Sequence, residues 1–147
     1  HYFNRFTDAQ DMRTAEIRVG EGTQSFTVEL WSTLPNIVMV SVTSPSGERT
    51  GMIPIRLGYL FDFSFTFERT TITVEYRLLQ RNNDAQLVFI RFQNAVPGIW
   101  KIDIKPAMQT TGDGRIPGGR GIFSGIKSRH YIYRAFRRKK YNDCGFL

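Results

Sequence analysis

Through most of the first hundred residues apolar and polar side chains alternate with a period of two, the repeat of a β-strand. Two such runs stand end to end in residues 86–104, QLVFIRFQNAVPGIWKIDI. In the first, Val88, Ile90 and Phe92 share one face and Leu87, Phe89 and Arg91 the other. Both faces are largely apolar, which predicts a strand in the middle of a sheet. In the second, Trp100, Ile102 and Ile104 alternate with Lys101 and Asp103, predicting one buried and one wet face. Between the runs lies Asn94-Ala95-Val96-Pro97-Gly98. Pro97 and Gly98 suit the two central positions of a type II turn, so the sequence predicts an antiparallel hairpin here.

The same reasoning covers the residues upstream. Ile17 and Val19 alternate with Glu16 and Arg18 in a strand that stops at Gly20-Glu21-Gly22. Residues 24–31 set Phe26, Val28 and Leu30 against Ser25, Thr27 and Glu29, and Pro35 bars any longer run. Residues 37–43 offer Val38, Val40 and Val42 to one side. Ser44-Pro45-Ser46-Gly47 predicts a type I turn. After it, residues 48–57 carry Gly51 and Pro54, which predicts an edge strand or an extended loop. Phe61, Phe63, Phe65 and Phe67 follow at strict alternate positions, and all four rings are expected to point one way. Residues 71–78 set Ile72, Val74 and Tyr76 opposite Thr73, Glu75 and Arg77, and Asn82-Asn83-Asp84 turns the chain into the next strand.

Seven or eight strands and no sustained helical repeat predict an all-β fold, an antiparallel β-sandwich or jelly roll spanning residues 15–104. Residues 1–14 read as a lead-in that packs through Tyr2, Phe3 and Phe6, with a short helical turn over 7–12. From residue 105 the alternation fails. Residues 105–147 read as an irregular, poorly ordered basic tail rich in glycine and charge.

Composition changes the picture in one respect. The net charge of +7 suggests an acidic partner until it is divided along the chain. Residues 1–104 hold ten Lys and Arg against eleven Asp and Glu, whereas residues 105–147 hold ten bases and only Asp113 and Asp143. The basic character belongs to the tail. A length of 147 residues fits one domain with a tail, and the opening His1 reads as a piece of something longer. No run approaches the roughly 20 apolar residues of a bilayer span, so no membrane insertion is expected. A lone Cys144 forms no internal disulfide and leaves the redox compartment unread.

Candidate chemistry is sparse. His1, His130 and Cys144 stand too far apart in sequence for a metal signature. No G-x-S-x-G occurs, and Ser124 reads as a loop serine. Gly112-Asp113-Gly114 and Gly118-Gly119-Arg120-Gly121 lack the flanking strand, helix and Gly-Lys-Ser/Thr ending of a phosphate loop. The bases and aromatics of Arg134 to Tyr141 could hold nucleic acid by phosphate contacts and stacking, but the rest of that recognition pattern is missing and a solvated charge run is the expected reading. Trp31 is a candidate sugar platform, although a strand tryptophan is more often core. No catalytic, cofactor-binding or metal-binding residue is assigned, and no cofactor is expected.

Four stretches carry a resemblance in combination: TAEIRVGEGTQSFTVELWSTLPN, VSVTSPSGE, PIRLGY and RFQNAVPGIWKIDI. From about Arg5 to Ile104 the chain resembles the β-sandwich inserted in clostridial subtilisin-like serine proteases, the group that includes the spore-germination Csp proteases. The resemblance implies a non-catalytic jelly roll that stabilises or positions a subtilase core in the same parent chain. It implies a bacterial, spore-associated or extracellular parent that hydrolyses peptide bonds in a protein or peptide substrate through a Ser-His-Asp triad lying outside these residues. A stand-alone module for carbohydrate or protein is the rival reading. The match ends near Lys105. With permitted codons, Ile132 to Gly145 read one nucleotide later give STEPSAERNTMTVG, similar to the Pro-Ser to Thr-Val-Gly approach of a subtilase core, which implies that the tail is out of frame.

Overall fold

A computed structural model describes residues 3–5, 11–34, 36–79, 85–107, 122–127 and 133–139. Ten strands run in chain order: β1 (Phe3–Arg5), β2 (Met12–Val19), β3 (Ser25–Thr33), β4 (Val38–Thr43), β5 (Leu60–Ser64), β6 (Thr71–Leu79), β7 (Ala85–Gln93), β8 (Gly98–Pro106), β9 (Ile122–Lys127) and β10 (Tyr133–Lys139). They form a six-stranded sheet, β1-β9-β3-β7-β6-β5, and a four-stranded sheet, β10-β2-β8-β4, with every neighbouring pair antiparallel. The two sheets make the expected all-β sandwich.

Alternation decides what lies between them. Val28 and Leu30 from β3, Ile72 and Val74 from β6, and Val88, Ile90 and Phe92 from β7 face Ile17, Val40, Val42, Trp100, Ile102 and Ile104 of the other sheet, all fully buried. Burial of each such side chain is worth roughly 1.5–3 kcal/mol. Aromatic rings occupy one end: Phe26 stacks on Phe92 at 4.3 Å, and Trp100 meets the edges of Phe65 and Phe92 at 5.0 and 5.3 Å. The Trp100 indole N–H donates to the Val96 carbonyl at 3.2 Å, so its one polar atom is satisfied.

The strands at 85–93 and 98–106 are present, but they are not a hairpin. β7 is hydrogen-bonded by β3 on one side and β6 on the other, leaving no edge for β8, which instead sits between β2 and β4 in the opposite sheet. The apolar faces of the two runs therefore meet across the core rather than lying side by side on one sheet. The connection is no type II turn either. Asn94 takes φ 55° and Gly98 takes φ 139°, and the Ala95 N–H bonds to the Gln24 carbonyl at 2.9 Å. A Cβ on Gly98 would stand 2.8 Å from Pro45, so glycine here permits close approach of the 44–47 turn.

Further expectations differ from what the structure shows. Phe61 and Phe63 pack against the core and Phe65 is buried, but Phe67 is 80% exposed, because β5 ends at Ser64 and a turn over 66–68 with Arg69 at φ 53° reverses the chain. Asp103 is buried rather than wet, accepting a 2.5 Å hydrogen bond from Thr14 Oγ1. Met12 opens β2 rather than closing a helical turn, while residues 7–10, Pro35 and the turn at Asn82 to Asp84 lie outside the described residues. Two stretches of the segment expected to be irregular, 122–127 and 133–139, run as strands beside β3 and β2. Pairing to a ready edge uses backbone groups, which side-chain periodicity does not report.

The turn at 44–47 is as read, with the Gly47 N–H donating to the Ser44 carbonyl at 3.0 Å. Residues 48–57 form an extended segment, touching β4 through isolated bridges at Thr43↔Arg49 and Val40↔Ile53.

Candidate functional site

Among the described residues, β4 ends the four-stranded sheet, and its outward backbone groups are all occupied. Gln86, fully buried on the inner face of β7, accepts from the Val38 N–H at 2.7 Å and donates to the Val38 carbonyl at 3.1 Å, and Ser32 Oγ donates to the same amide oxygen at 3.1 Å. Tyr76 Oη accepts from the Val40 N–H at 3.2 Å and donates to the Ile53 carbonyl at 2.9 Å. The Val40 carbonyl takes the Ile53 N–H, and the Val42 pair bonds to Thr50. Side chains from the other sheet thus substitute for a missing strand, which closes this flank against strand addition. Burial pushes the Tyr76 phenol up to about 12 despite the lowering effect of the Val40 N–H.

Beside this flank a pocket of about 210 Å³ is lined by Pro54, Arg56, Tyr59, Phe61, Val74 and Tyr76, with the Arg56 guanidinium 5.9 Å from the Tyr59 ring. Leu57, Tyr59 and Leu60 are exposed nearby.

A second pocket, about 520 Å³, lies under the 44–47 turn on the outer face of the four-stranded sheet. Glu16, Thr43, Ser44, Pro45, Gly47, Arg49, Ile99 and Lys101 line it. Register brings it together: Thr43 pairs with Lys101, and Lys101 with Glu16, so three adjacent strands place these residues in one row. Lys101 Nζ stands 3.8 Å from Glu16 Oε1. The turn is held over the row from the other sheet's loop, where the Glu48 carboxylate accepts from the Thr66 N–H at 2.8 Å and Glu68 accepts from the Ser46 N–H at 2.9 Å.

On the outer face of the six-stranded sheet, Phe89 lies 5.7 Å from the Arg77 guanidinium and 5.9 Å from that of Arg91. Arg77 forks onto Glu75 with bonds of 2.7 and 2.5 Å, which holds the Glu75 carboxyl below its usual range and raises Arg77. Trp31 belongs to this face. It is half-buried opposite Leu87, and its indole N–H donates to Glu29 at 3.4 Å.

No protein-family model matches the chain, and no curated protein matches it. The sandwich is similar to part of the CspB protease of Clostridium perfringens. The likeness has a TM-score of 0.63 over 82% of this chain at 16% identity, and it spans only 23% of CspB. At that identity the likeness to CspB is one of fold.

Ser124, read as a loop serine, lies in β9, and Arg134 to Lys139 fall in β10. His1, His130, Cys144 and the glycine motifs at 112–114 and 118–121 lie outside the described residues. Among the described residues, no group of three His, Cys, Asp or Glu could hold a metal ion, and no helix is long and apolar enough to cross a membrane. Sequence reasoning missed the Gln86 and Tyr76 clamp and the pocket under the turn. Gln86 carried a faint signal, being the one polar residue on the inward face of the run through Val88, Ile90 and Phe92.

Proposed function

We propose that the chain is the non-catalytic jelly-roll segment of a subtilisin-like serine endopeptidase, supporting or positioning a protease core encoded in the same parent. The observation that carries this reading is the fold likeness to a portion of CspB. Two features of the chain agree with it. The sandwich buries its own core and clamps its β4 flank with its own side chains, as a rigid support requires. The 147 residues contain neither an H-G-T-H-like nor a G-T-S-like stretch, the sequences that would bring a subtilase histidine and serine. The parent's peptide-bond hydrolysis, with its base, its orienting aspartate and its oxyanion donors, then belongs to residues outside this chain.

The isolated 147-residue chain is expected to show no hydrolysis of a general protein substrate such as casein. Cleavage abolished by a serine-directed inhibitor overturns the reading. Deleting the equivalent of residues 15–104 from the intact parent should lower its thermal stability and its resistance to trypsin. A parent that keeps both after the deletion also overturns it. The out-of-frame reading of residues 105–147 is tested separately by the coding DNA, where a one-nucleotide shift should restore a subtilase-like sequence.

A further inference from the structure

Thr43, which lines the pocket under the 44–47 turn, carries a hydroxyl with nothing to bond. Thr43 is 7% exposed, and its Oγ1 is a buried atom without a hydrogen-bond partner. Buried hydroxyls are nearly always satisfied by protein or by water, so an orphan lining a cavity marks where a further group completes the bond. The neighbouring charges indicate which group. Lys101 stands directly opposite Thr43 on β8, and the bridge between Thr43 and Arg49 brings a guanidinium to the other side. Glu16 is the one acid in the lining, and its carboxylate lies 3.8 Å from Lys101 Nζ, so it offsets one of the two cations. Among the described residues Arg49 has no ion-pair partner. A net positive charge, a planar fork of N–H donors and a buried hydroxyl together match a group with two or more oxygens sharing negative charge. Pro45 and Ile99 add apolar contact beside it.

We propose that this pocket binds an oxyanion group, a carboxylate or a phosphate, with Arg49 and Lys101 supplying the charge and the Thr43 hydroxyl the buried hydrogen bond. The site lies wholly on this chain and stands independently of any protease role.

The test titrates the chain with sodium acetate and, separately, sodium phosphate. Sodium chloride holds the ionic strength constant, and backbone amide NMR shifts are followed. Saturable shifts confined to residues 43–49 and 99–101, absent with chloride alone, are expected. Saturation by acetate identifies a carboxylate ligand and saturation by phosphate a phosphate ligand. Arg49→Ala and Lys101→Ala should each weaken binding about tenfold or more, since each removes a charged hydrogen bond. Thr43→Val keeps the shape and should weaken binding about fivefold. Because it deletes an unbonded hydroxyl, it should leave the melting temperature of the free chain unchanged or higher. Shifts that grow linearly with both anions, or affinities unchanged in all three variants, overturn the proposal. So does a Thr43→Val chain that melts several degrees lower without ligand, because that hydroxyl is then already bonded to an ordered water.

Discussion

Replacing Tyr76 with phenylalanine removes a single oxygen from a residue that is 2% exposed and leaves its ring in place. Two partners are stranded: the Val40 N–H, 3.2 Å away, and the Ile53 carbonyl, 2.9 Å away. A buried polar group left without a partner costs about 1–3 kcal/mol, so the pair should cost about 2–6 kcal/mol in total. The same oxygen supplies a pH signature. The phenol is raised from 10.0 to about 12 by burial. The folded state therefore favours the protonated form, and this contribution is complete below pH 10 and lost as pH climbs through 12. At about 1.4 kcal/mol per unit the loss is about 3 kcal/mol. Phenylalanine cannot titrate. Urea unfolding of both chains should show a gap of about 2–6 kcal/mol at pH 8 that shrinks by about 3 kcal/mol between pH 10 and 12. A gap under about 0.5 kcal/mol at pH 8, or one that stays constant to pH 12, refutes the argument that this phenol replaces a missing strand.

Four other outcomes follow from the packing. Trp100→Ala, at the meeting point of Phe65 and Phe92, should cost about 3–5 kcal/mol in denaturant unfolding. Gly98→Ala forces a Cβ to 2.8 Å from Pro45 at φ 139° and should cost about 1–3 kcal/mol, so an unchanged melting temperature would count against the close approach. Gln86→Leu keeps the volume but strands both backbone groups of Val38, costing about 2–4 kcal/mol and speeding hydrogen exchange at the Val38 amide. Phe67→Ser should leave stability within about 0.5 kcal/mol, because the ring is already in water.

What the sequence made legible was the side each residue faces, and it stopped short of which strand lies next to which. Val28, Val40, Ile72, Val88 and Ile102 were all placed inward by alternation, and all are buried. The same alternation cannot distinguish two strands paired in one sheet from two strands facing each other across a core, since both arrangements send the same residues inward. The hairpin predicted through Asn94 to Gly98 fails on that ambiguity. Phe67 shows a second limit, because the repeat of phenylalanines runs on past Ser64 while the chain itself turns. The pocket was illegible for a third reason. Glu16, Thr43 and Lys101 are distant in sequence and become neighbours only through the β2, β8 and β4 register.

The position of β8 has a consequence for the order in which the molecule can form. It is the middle strand between β2 and β4, yet it is made more than fifty residues after either. A nascent chain that has emerged only as far as Gln93 can zip β3, β6 and β7 together, but β2 and β4 have nothing to join them. Until Trp100 and the residues behind it leave the ribosome, the four-stranded sheet lacks the strand that joins β2 to β4, and Ile17, Val40 and Val42 lack their β8 neighbours. Loop closure over that distance is slow, so the interval of greatest exposure to aggregation or chaperone capture falls just before β8 arrives.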